Sequence, residues 1–431
     1  MYRNNIKRLI EWKLSKSRKP LVFLGARQVR KTWLVQEFGK TQYRQMVYIN
    51  FEKSTALREM FLQDMNVKRL IINLELHANL KITAEDTLIV LDEIQVAPRG
   101  ITSLKYFHED TPEYQIIAAG ALLGVSLHPN ESFPVGKVDF MELYPMSFYE
   151  FLLAMGESGL ARILDEKLWD VLDAFSDKFK EFLRYYFYVG GMPEVVAHFS
   201  QYRDWKAVRQ LQNKILKTYR NDFSKHAPKE ILPRINMVWD SMPSQLAKEN
   251  KKFIYGIIKE GARAKDFELA IQWLVDSGLL HKVHSVSKPG LPLVAYQELS
   301  AFKLYHNDIG LLGAMSKLGA KTLLHGNDVF TEFKGALTEQ FVFQQLKLKE
   351  DFSIHYFPFE GKYEVDFVVQ NEEDDILPIE VKAGENLRAK SFKLFCEKYQ
   401  PQTAIRTSLS NYRKESWMTN VPLYVVGDFL K

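Results

Sequence analysis

Short apolar runs alternate with amphipathic segments along the first 130 residues of the chain. The runs at 21–24, 46–51, 87–91 and 115–119 are typical of buried strands. The segments between them have the apolar spacing of helices, and this alternation predicts a parallel sheet with helices on both faces. We therefore expect an α/β domain here, preceded by a helix within residues 1–20.

The strand pattern stops after residues 128–136, whose turn-forming side chains predict an exposed loop. Residues 147–220 are rich in helix formers and have no strand pattern, apart from a break at Gly190 and Gly191. This composition predicts a helical domain.

Residues 205–285 have the element order of a winged helix. The predicted elements are helices at 253–258 and 266–277 and an alternating wing strand at 281–286. Lys259, Arg263 and Lys265 lie at the entry of the second helix, where such folds contact DNA. The alternatives are ordinary solvated charges and a surface that packs against a neighbouring protein.

Residues 25–32 carry a phosphate-binding pattern with one departure. The pattern G-x-x-x-x-G-K-[ST] follows a strand and precedes a helix; here the run at 21–24 comes before it, and a helix that closes at Gly39 follows. Lys31 would reach the β- and γ-phosphates of a nucleotide, and the Thr32 hydroxyl would bind Mg²⁺. The predicted nucleotide-binding residues are Gly25, Ala26, Arg27, Gln28, Val29, Arg30, Lys31 and Thr32, with Asp92.

Arg30 stands where the pattern has its second glycine. Glycine is used there because the backbone approaches the phosphates closely or takes a positive φ. The arginine side chain could clash with the phosphates, or fold over them as an additional cation.

A second nucleotide signature lies about sixty residues later. The apolar run at 87–91 ends in Asp92 and Glu93. A buried strand would deliver Asp92 beside Mg²⁺, and Glu93 could orient or polarise the attacking water as a catalytic residue. A third strand at 115–119 continues into Ala121, which has no hydroxyl or amide to sense the γ-phosphate.

These motifs resemble those of a large bacterial and archaeal family of AAA-type ATPases with a C-terminal domain of unknown function, the AAA_14/DUF4143 architecture. The matching stretches are residues 25–32, 91–95, 120–124, 143–151 and 188–194, with further matches near the C-terminus. The family typically has glycine at position 30 and often serine at position 121. The resemblance implies a P-loop NTPase sheet with a helical lid, and ATP with Mg²⁺ as cofactors.

Together these patterns predict four parts of the chain. The parts are an ATP-binding core at 1–145, a helical lid at 146–204, a winged-helix segment at 205–300 and a separate α/β domain at 301–431.

The last hundred residues carry a separate chemical pattern. Glu339 lies in a predicted helix, and Asp366 lies in an alternating strand. Glu380 and Lys382 share one face of the next strand, because side chains two apart point the same way. If the strands pair, three carboxylates and a lysine converge. Carboxylates suit Mg²⁺ or Mn²⁺, and such a metal could activate a water towards a phosphodiester.

This order of residues resembles the restriction-endonuclease-like nuclease fold, which implies a nuclease-like domain at 301–431. The resemblance implies that Asp366 and Glu380 bind the metal, that Lys382 is the catalytic lysine and that Glu339 is an accessory acid at the metal. Glutamate and lysine also alternate on many solvated strand faces, and domains of this fold serve as binding modules too.

Length, charge and cysteine content limit the classes of protein to which this chain can belong. With 431 residues the chain has room for about three domains, at roughly 150 residues each. Its 58 basic and 53 acidic residues give a net charge of +5, which is too balanced to imply nucleic-acid binding by itself. Cys396 is the single cysteine and fits a reducing compartment. We find no signal-peptide pattern and no run of ~20 apolar residues, and expect a soluble, cytoplasmic protein without a membrane partner.

Three hypotheses follow. In the first, an ATPase controls a nuclease-like effector that acts on DNA. In the second, the nucleotide site is silent and the C-terminal domain is a metal-dependent phosphodiesterase. In the third, the chain binds DNA or a protein client, or assembles with itself, and catalyses nothing.

Overall fold

The computed structural model describes residues 2–63, 65–120, 134–246, 252–325, 331–385 and 389–430. Internal contacts divide the chain into two units. The N-terminal unit contains Arg3–Tyr144 together with Asp276–Gly278, and the C-terminal unit contains Pro145–Val275 and the chain from Leu279 onward. Each unit combines helices with a sheet, so the predicted α/β class is confirmed.

The N-terminal unit is built on a sheet of five parallel strands in the order β2-β3-β4-β1-β5. The strands are β1 Leu21–Leu24, β2 Gln45–Asn50, β3 Thr87–Asp92, β4 Gln115–Ala119 and β5 Asp139–Glu142. The first four lie within a residue of the predicted runs. The sequence pattern did not predict β5, because two of its four residues are acidic and it has no apolar run.

Five helices accompany this sheet: α1 Asn5–Leu14, α2 Lys31–Gln42, α3 Thr55–Gln63, α4 Val67–Ala78 and α5 Gly100–Asp110. Every residue of β3 is buried, as expected for a central parallel strand covered on both faces. The prediction that α2 ends at Gly39 is wrong, since the helix continues to Gln42. Gly39 instead allows close packing, because a Cβ there would lie 2.4 Å from Met46 Sδ.

The C-terminal unit begins with a long helical region, as the sequence predicts for residues 147–220. Its helices are α6 Phe148–Ala154, α7 Ser158–Glu166, α8 Trp169–Ala174, α9 Ser176–Val189, α10 Pro193–Tyr202, α11 Trp205–His226, α12 Leu232–Leu246, α13 Tyr255–Ile258 and α14 Ala264–Asp276, followed later by α15 Ile309–Met315, α16 Ala320–His325, α17 Thr331–Lys347, α18 Lys390–Tyr399 and α19 Val426–Phe429. The predicted break at Gly190 separates α9 from α10.

An eight-stranded mixed sheet has the order β12-β13-β11-β10-β9-β8-β6-β7. Its strands are β6 Leu280–Val286, β7 Gln297–His306, β8 Ser353–Phe359, β9 Tyr363–Gln370, β10 Ile376–Val381, β11 Ile405–Ser408, β12 Arg413–Lys414 and β13 Thr419–Pro422. Strand β9 pairs antiparallel with both β8 and β10. Strand β11 pairs parallel with both β10 and β13. Helix α18 packs against β9 on an apolar cluster that includes Phe392 and Phe395.

The region predicted as a winged helix contains α12, α13, α14 and the antiparallel pair β6–β7. The predicted helix at 253–258 begins two residues later, because the Phe253 N–H bonds to the Phe302 carbonyl 2.8 Å away and keeps this stretch extended. Lys259, Arg263 and Lys265 are exposed. Contact with DNA at these residues, and the winged-helix description itself, stay predictions.

Within the described ranges, no helix has both the length and the apolar character needed to cross a membrane. Cys396 is buried as a free thiol in α18.

Candidate functional site

The phosphate-binding pattern and the acidic pair meet at one edge of the parallel sheet. The loop follows β1, Asp92 ends β3, and β4 lies between these two strands. In register, Asp92 lies opposite Asn50 on one side and Ala119 on the other. Ligands of open parallel sheets bind at these carboxyl ends, so the topology places the predicted nucleotide residues where a ligand would be expected.

The loop backbone takes positive φ at three positions, namely 127° at Gly25, 68° at Gln28 and 66° at Arg30. A Cβ at Gly25 would lie 2.3 Å from the carbonyl oxygen of Leu143, so this position requires glycine. Arg30 adopts the left-handed conformation that glycine takes freely, at a cost of about 1 kcal/mol for another residue. The backbone at position 30 thus has a conformation suited to glycine although the residue is arginine.

Some side chains of the loop are buried and others are half-buried. Ala26 and Val29 are buried, and the Arg3 guanidinium donates to the Val29 carbonyl at 3.3 Å. Arg27 and Arg30 are half-buried. Among the described residues, the Arg30 guanidinium has no hydrogen-bond or ion-pair partner.

Lys31 opens helix α2 and points back into the loop. Its ammonium donates to the carbonyl oxygens of Gly25 at 2.6 Å and Ala26 at 2.9 Å. Burial lowers the pKa of Lys31 from 10.5 to about 8, although the nearby carboxylates of Glu93 and Asp92 act in the opposite direction. The side chain is therefore poised to gain stabilisation from an added anion.

Thr32 and Asp92 join the loop to strand β3. The Thr32 hydroxyl donates to Asp92 Oδ2 at 3.1 Å, and the Tyr48 hydroxyl donates to the same oxygen. Asp92 is 4% exposed, and burial raises the pKa of its carboxyl. Two oxygen ligands of the kind that Mg²⁺ prefers thus lie together, so the residues present fit the implied Mg²⁺ site.

Glu93 has a strained backbone with φ 52°, and Gln95 Nε2 donates to its Oε2. Non-glycine residues with positive φ cluster at functional sites. Sequence reasoning did not identify Gln95 or Tyr48 as site residues. Tyr48 has no sequence signal, because its role depends on β2 lying beside β3. Ala121, predicted as a departure from the γ-phosphate sensor, lies outside the described residues.

The four residues of the second predicted site lie in the C-terminal unit on three elements. Glu339 lies in α17, Asp366 in β9 and Glu380 in β10, and Lys382 directly follows the last residue of β10. The two strands pair antiparallel. Lys382 Nζ donates to Glu380 Oε1 at 2.5 Å, and the Val381 N–H donates to Asp366 Oδ2 at 2.7 Å. The strands therefore bring Asp366, Glu380 and Lys382 to neighbouring positions.

Glu380 and Lys382 form a largely buried ion pair. Glu380 is 3% exposed, and its Oε2 has no hydrogen-bond partner within the described structure. Burial raises the pKa of Glu380, and the positive charge of Lys382 partly opposes this effect. For Lys382, burial disfavours the charged form, but attraction to Glu380 outweighs it and raises the pKa.

Glu339 is held by residues that the sequence did not point to. Lys303 of β7 donates to it at 3.1 Å, and the Tyr305 hydroxyl donates to the same oxygen. Lys303 also pairs with Glu364 of β9. A lysine within a strand is usually exposed, so no sequence signal marks Lys303 as buried.

The structure does not support the metal site predicted in this unit. Over the described residues, no group of three or more histidine, cysteine, aspartate or glutamate side chains is placed to hold a metal ion. The assignment of Glu339, Asp366 and Glu380 as ligands of Mg²⁺ or Mn²⁺ stays a prediction.

The two glycines of the motif at 188–194 lie in close contact with neighbouring backbone and side-chain atoms. Gly191 N–H donates to Asp308 Oδ2 at 2.6 Å, and the Gly191 carbonyl accepts from Met146 N–H at 2.7 Å. A Cβ on Gly190 would lie 2.3 Å from Asp308 Oδ1, and one on Gly191 would lie 2.3 Å from the Met146 carbonyl oxygen. The two glycines are therefore required by close contacts inside the C-terminal unit.

Three family models match the chain. An AAA domain, AAA_14, matches residues 17–152. Two domains of unknown function follow, DUF8612 at 180–322 and DUF4143 at 334–425. No curated protein matches the chain.

Several solved structures are similar at low identity. A Walker-type ATPase of Pyrococcus abyssi is 14% identical with a TM-score of 0.44, over 73% of this chain and 95% of that one. The Orc1 protein of Aeropyrum pernix, solved in complex with DNA, is 12% identical with a TM-score of 0.29, over 74% and 93%. AMPPCP-bound DnaA from Aquifex aeolicus is 15% identical with a TM-score of 0.28, over 63% and 84%.

The AAA match spans the phosphate loop and the acidic end of β3, and the DUF4143 match spans α17, β9 and β10. The chain thus contains an AAA-type P-loop ATPase-like domain and matches the AAA_14/DUF4143 architecture.

Proposed function

We propose that the N-terminal unit binds ATP with Mg²⁺ and that this binding controls an effector formed by the C-terminal unit. The observation that carries the proposal is the 3.1 Å hydrogen bond between Thr32 Oγ1 and Asp92 Oδ2. It joins the first turn of α2 to the acidic end of β3. Two separate sequence signatures thereby become one site beside Lys31.

Each residue of the site has a distinct part in this proposal. The Lys31 ammonium exchanges the loop carbonyls for phosphate oxygens, and the N-terminus of α2 adds positive potential and free N–H groups. Thr32 and Asp92 would hold Mg²⁺, which neutralises charge on the β- and γ-phosphates when bound. Glu93, whose Oε2 accepts from Gln95 Nε2, would orient a water molecule for hydrolysis.

Isothermal titration of the nucleotide-free protein with Mg–ATP tests the proposal. We expect binding in the micromolar range, because the lysine, the threonine and both acids are in place. AMP is the control ligand, since it lacks the β- and γ-phosphates and should bind far more weakly. A titration without detectable ATP binding would show that this unit is not a nucleotide site.

Replacing Arg30 by glycine should stabilise the loop and raise the rate of ATP hydrolysis. We expect a gain in unfolding free energy of up to about 1 kcal/mol, because glycine takes φ 66° without strain. ATP hydrolysis should rise roughly tenfold or more, since the Cβ and side chain no longer crowd the phosphates, and tenfold corresponds to about 1.4 kcal/mol of barrier. Denaturant unfolding and phosphate release measure the two effects.

The matched control is Arg30→Ala, which removes the side chain but keeps a Cβ in the left-handed conformation. It should lack the gain in stability. If Arg30→Gly hydrolyses ATP no faster than the wild type, the arginine is not what limits the site.

A further inference from the structure

The C-terminal unit carries a buried charged cluster in which a lysine stands between two carboxylates. The Lys303 side chain is 0% exposed, and its Nζ lies 3.1 Å from Glu339 Oε1 and 2.5 Å from Glu364 Oε1. The Tyr305 hydroxyl also donates to Glu339. The same ammonium lies 4.8 Å from the centre of the Tyr356 ring. One cation therefore links strand β7 to both α17 and β9.

The carboxylates predicted to bind a metal already have donors from the protein. Glu339 accepts from Lys303, Asp366 accepts from the Val381 N–H, and Glu380 accepts from Lys382. Glu380 Oε2 has no hydrogen-bond partner within the described structure, whereas Glu339 Oε1 already accepts from both Lys303 and Tyr305.

Lys303 stands between Glu339, one of the predicted metal ligands, and Glu364, which is not one of them. Mg²⁺ binds carboxylate oxygens at about 2.0–2.1 Å, so an ion shared by Glu339 and Glu364 would overlap the ammonium between them. Repulsion between the two cations adds to this exclusion. The Lys303 side chain also has no exposed surface, so solvent does not hydrate its charge.

The charge of Lys303 is compensated where it lies. Its Nζ makes ion pairs with both Glu339 Oε1 and Glu364 Oε1. Breaking a buried ion pair by removing one partner is strongly unfavourable, because it leaves an uncompensated charge. A divalent ion that displaced Lys303 would therefore have to compensate for the loss of both pairs.

We infer that Lys303 is the resident cation of this cluster and that it excludes a divalent metal from Glu339, the accessory acid of the predicted nuclease-like centre. The C-terminal unit then holds Glu339 and Glu364 together as a fixed internal ion-pair centre. This inference is independent of nucleotide binding. It assigns Glu339 to the internal ion pair with Lys303 and not to a metal site.

The variant Lys303→Met tests the inference, because it removes the charge and keeps most of the side-chain volume. Melting temperatures of the nucleotide-free wild type and variant are compared with and without millimolar Mn²⁺. We expect the variant to melt at a lower temperature than the wild type. Mn²⁺ should then restore roughly 5–10 °C in the variant, as for a ligand well above its Kd, and have little effect on the wild type.

The double variant Lys303→Met/Glu339→Gln is the matched control, since it also removes the carboxylate that the freed site would use. Its response to Mn²⁺ should fall to that of the wild type. A folded Lys303→Met protein with no larger Mn²⁺ response than the wild type overturns the inference.

A second measurement covers the case in which Lys303→Met does not fold. Mn²⁺ binding to the nucleotide-free wild type is followed by electron paramagnetic resonance, with Glu339→Gln for comparison. Mn²⁺ that binds the wild type and is lost in Glu339→Gln overturns the inference. Absence of any Glu339-dependent binding supports it.

Discussion

Lys31→Met is expected to weaken Mg–ATP binding by about 100-fold, the loss that follows from removing hydrogen bonds between an ammonium and phosphate oxygens. Methionine fills a similar volume but cannot donate to phosphate. Titration calorimetry of wild type and variant measures the change. Lys40→Met is the control, because Lys40 lies exposed in the last turn of the same helix and should bind ATP like the wild type.

The same variant should change how stability depends on pH. Because burial lowers the pKa of Lys31 from 10.5 to about 8, the unfolded chain binds more protons at this residue than the folded protein between those values. The wild type therefore gains unfolding free energy from Lys31 as pH rises from 8 to 10.5, and loses that gain as pH falls to 8. The full difference is roughly 3 kcal/mol.

Lys31→Met should lack this gain, so its stability relative to the wild type falls as the pH is raised through that window. Urea unfolding at several pH values measures the difference, and Lys40→Met should retain the wild-type dependence. An equal pH dependence in Lys31→Met and wild type would mean that Lys31 is not buried as described.

Gly25→Ala should destabilise the N-terminal unit by about 3 kcal/mol or more and abolish ATP binding. The added Cβ would lie 2.3 Å from the Leu143 carbonyl oxygen, and φ at this position is 127°. Strained backbone and overpacking each cost about 1–3 kcal/mol. Relief of the contact requires movement of the loop away from the chain after β5, which displaces the residues that face the phosphates.

Gly136→Ala separates the close contact from the backbone conformation. Gly136 also has a positive φ, 71°, but a Cβ there meets nothing within 4 Å. We expect a loss of only about 1 kcal/mol and unchanged ATP binding. If the two variants are equally stable in denaturant unfolding, the contact with Leu143 does not hold the loop.

The predicted strands of the N-terminal unit agree with the structure because their signal is local. A run such as Thr87–Asp92 is apolar along its whole length, and a strand buried on both faces requires that. The phosphate-binding loop could likewise be predicted from the sequence, because Gly25, Lys31 and Thr32 have a fixed spacing between a strand and the next helix. Strand β5 lacked such a signal, since its position depends on pairing with β1 rather than on its own composition.

The sequence by itself thus determined the α/β class, the strand–loop–helix order around residues 25–32, the acidic end of β3 and the elements that carry Glu339, Asp366 and Glu380. Only the tertiary structure placed Tyr48 on Asp92 and Lys303 between two carboxylates. These contacts join residues far apart in the chain, and neither a tyrosine nor a lysine in a strand shows which strand will lie beside it. The partners of a buried charge are fixed by strand order and register, which local sequence patterns do not specify.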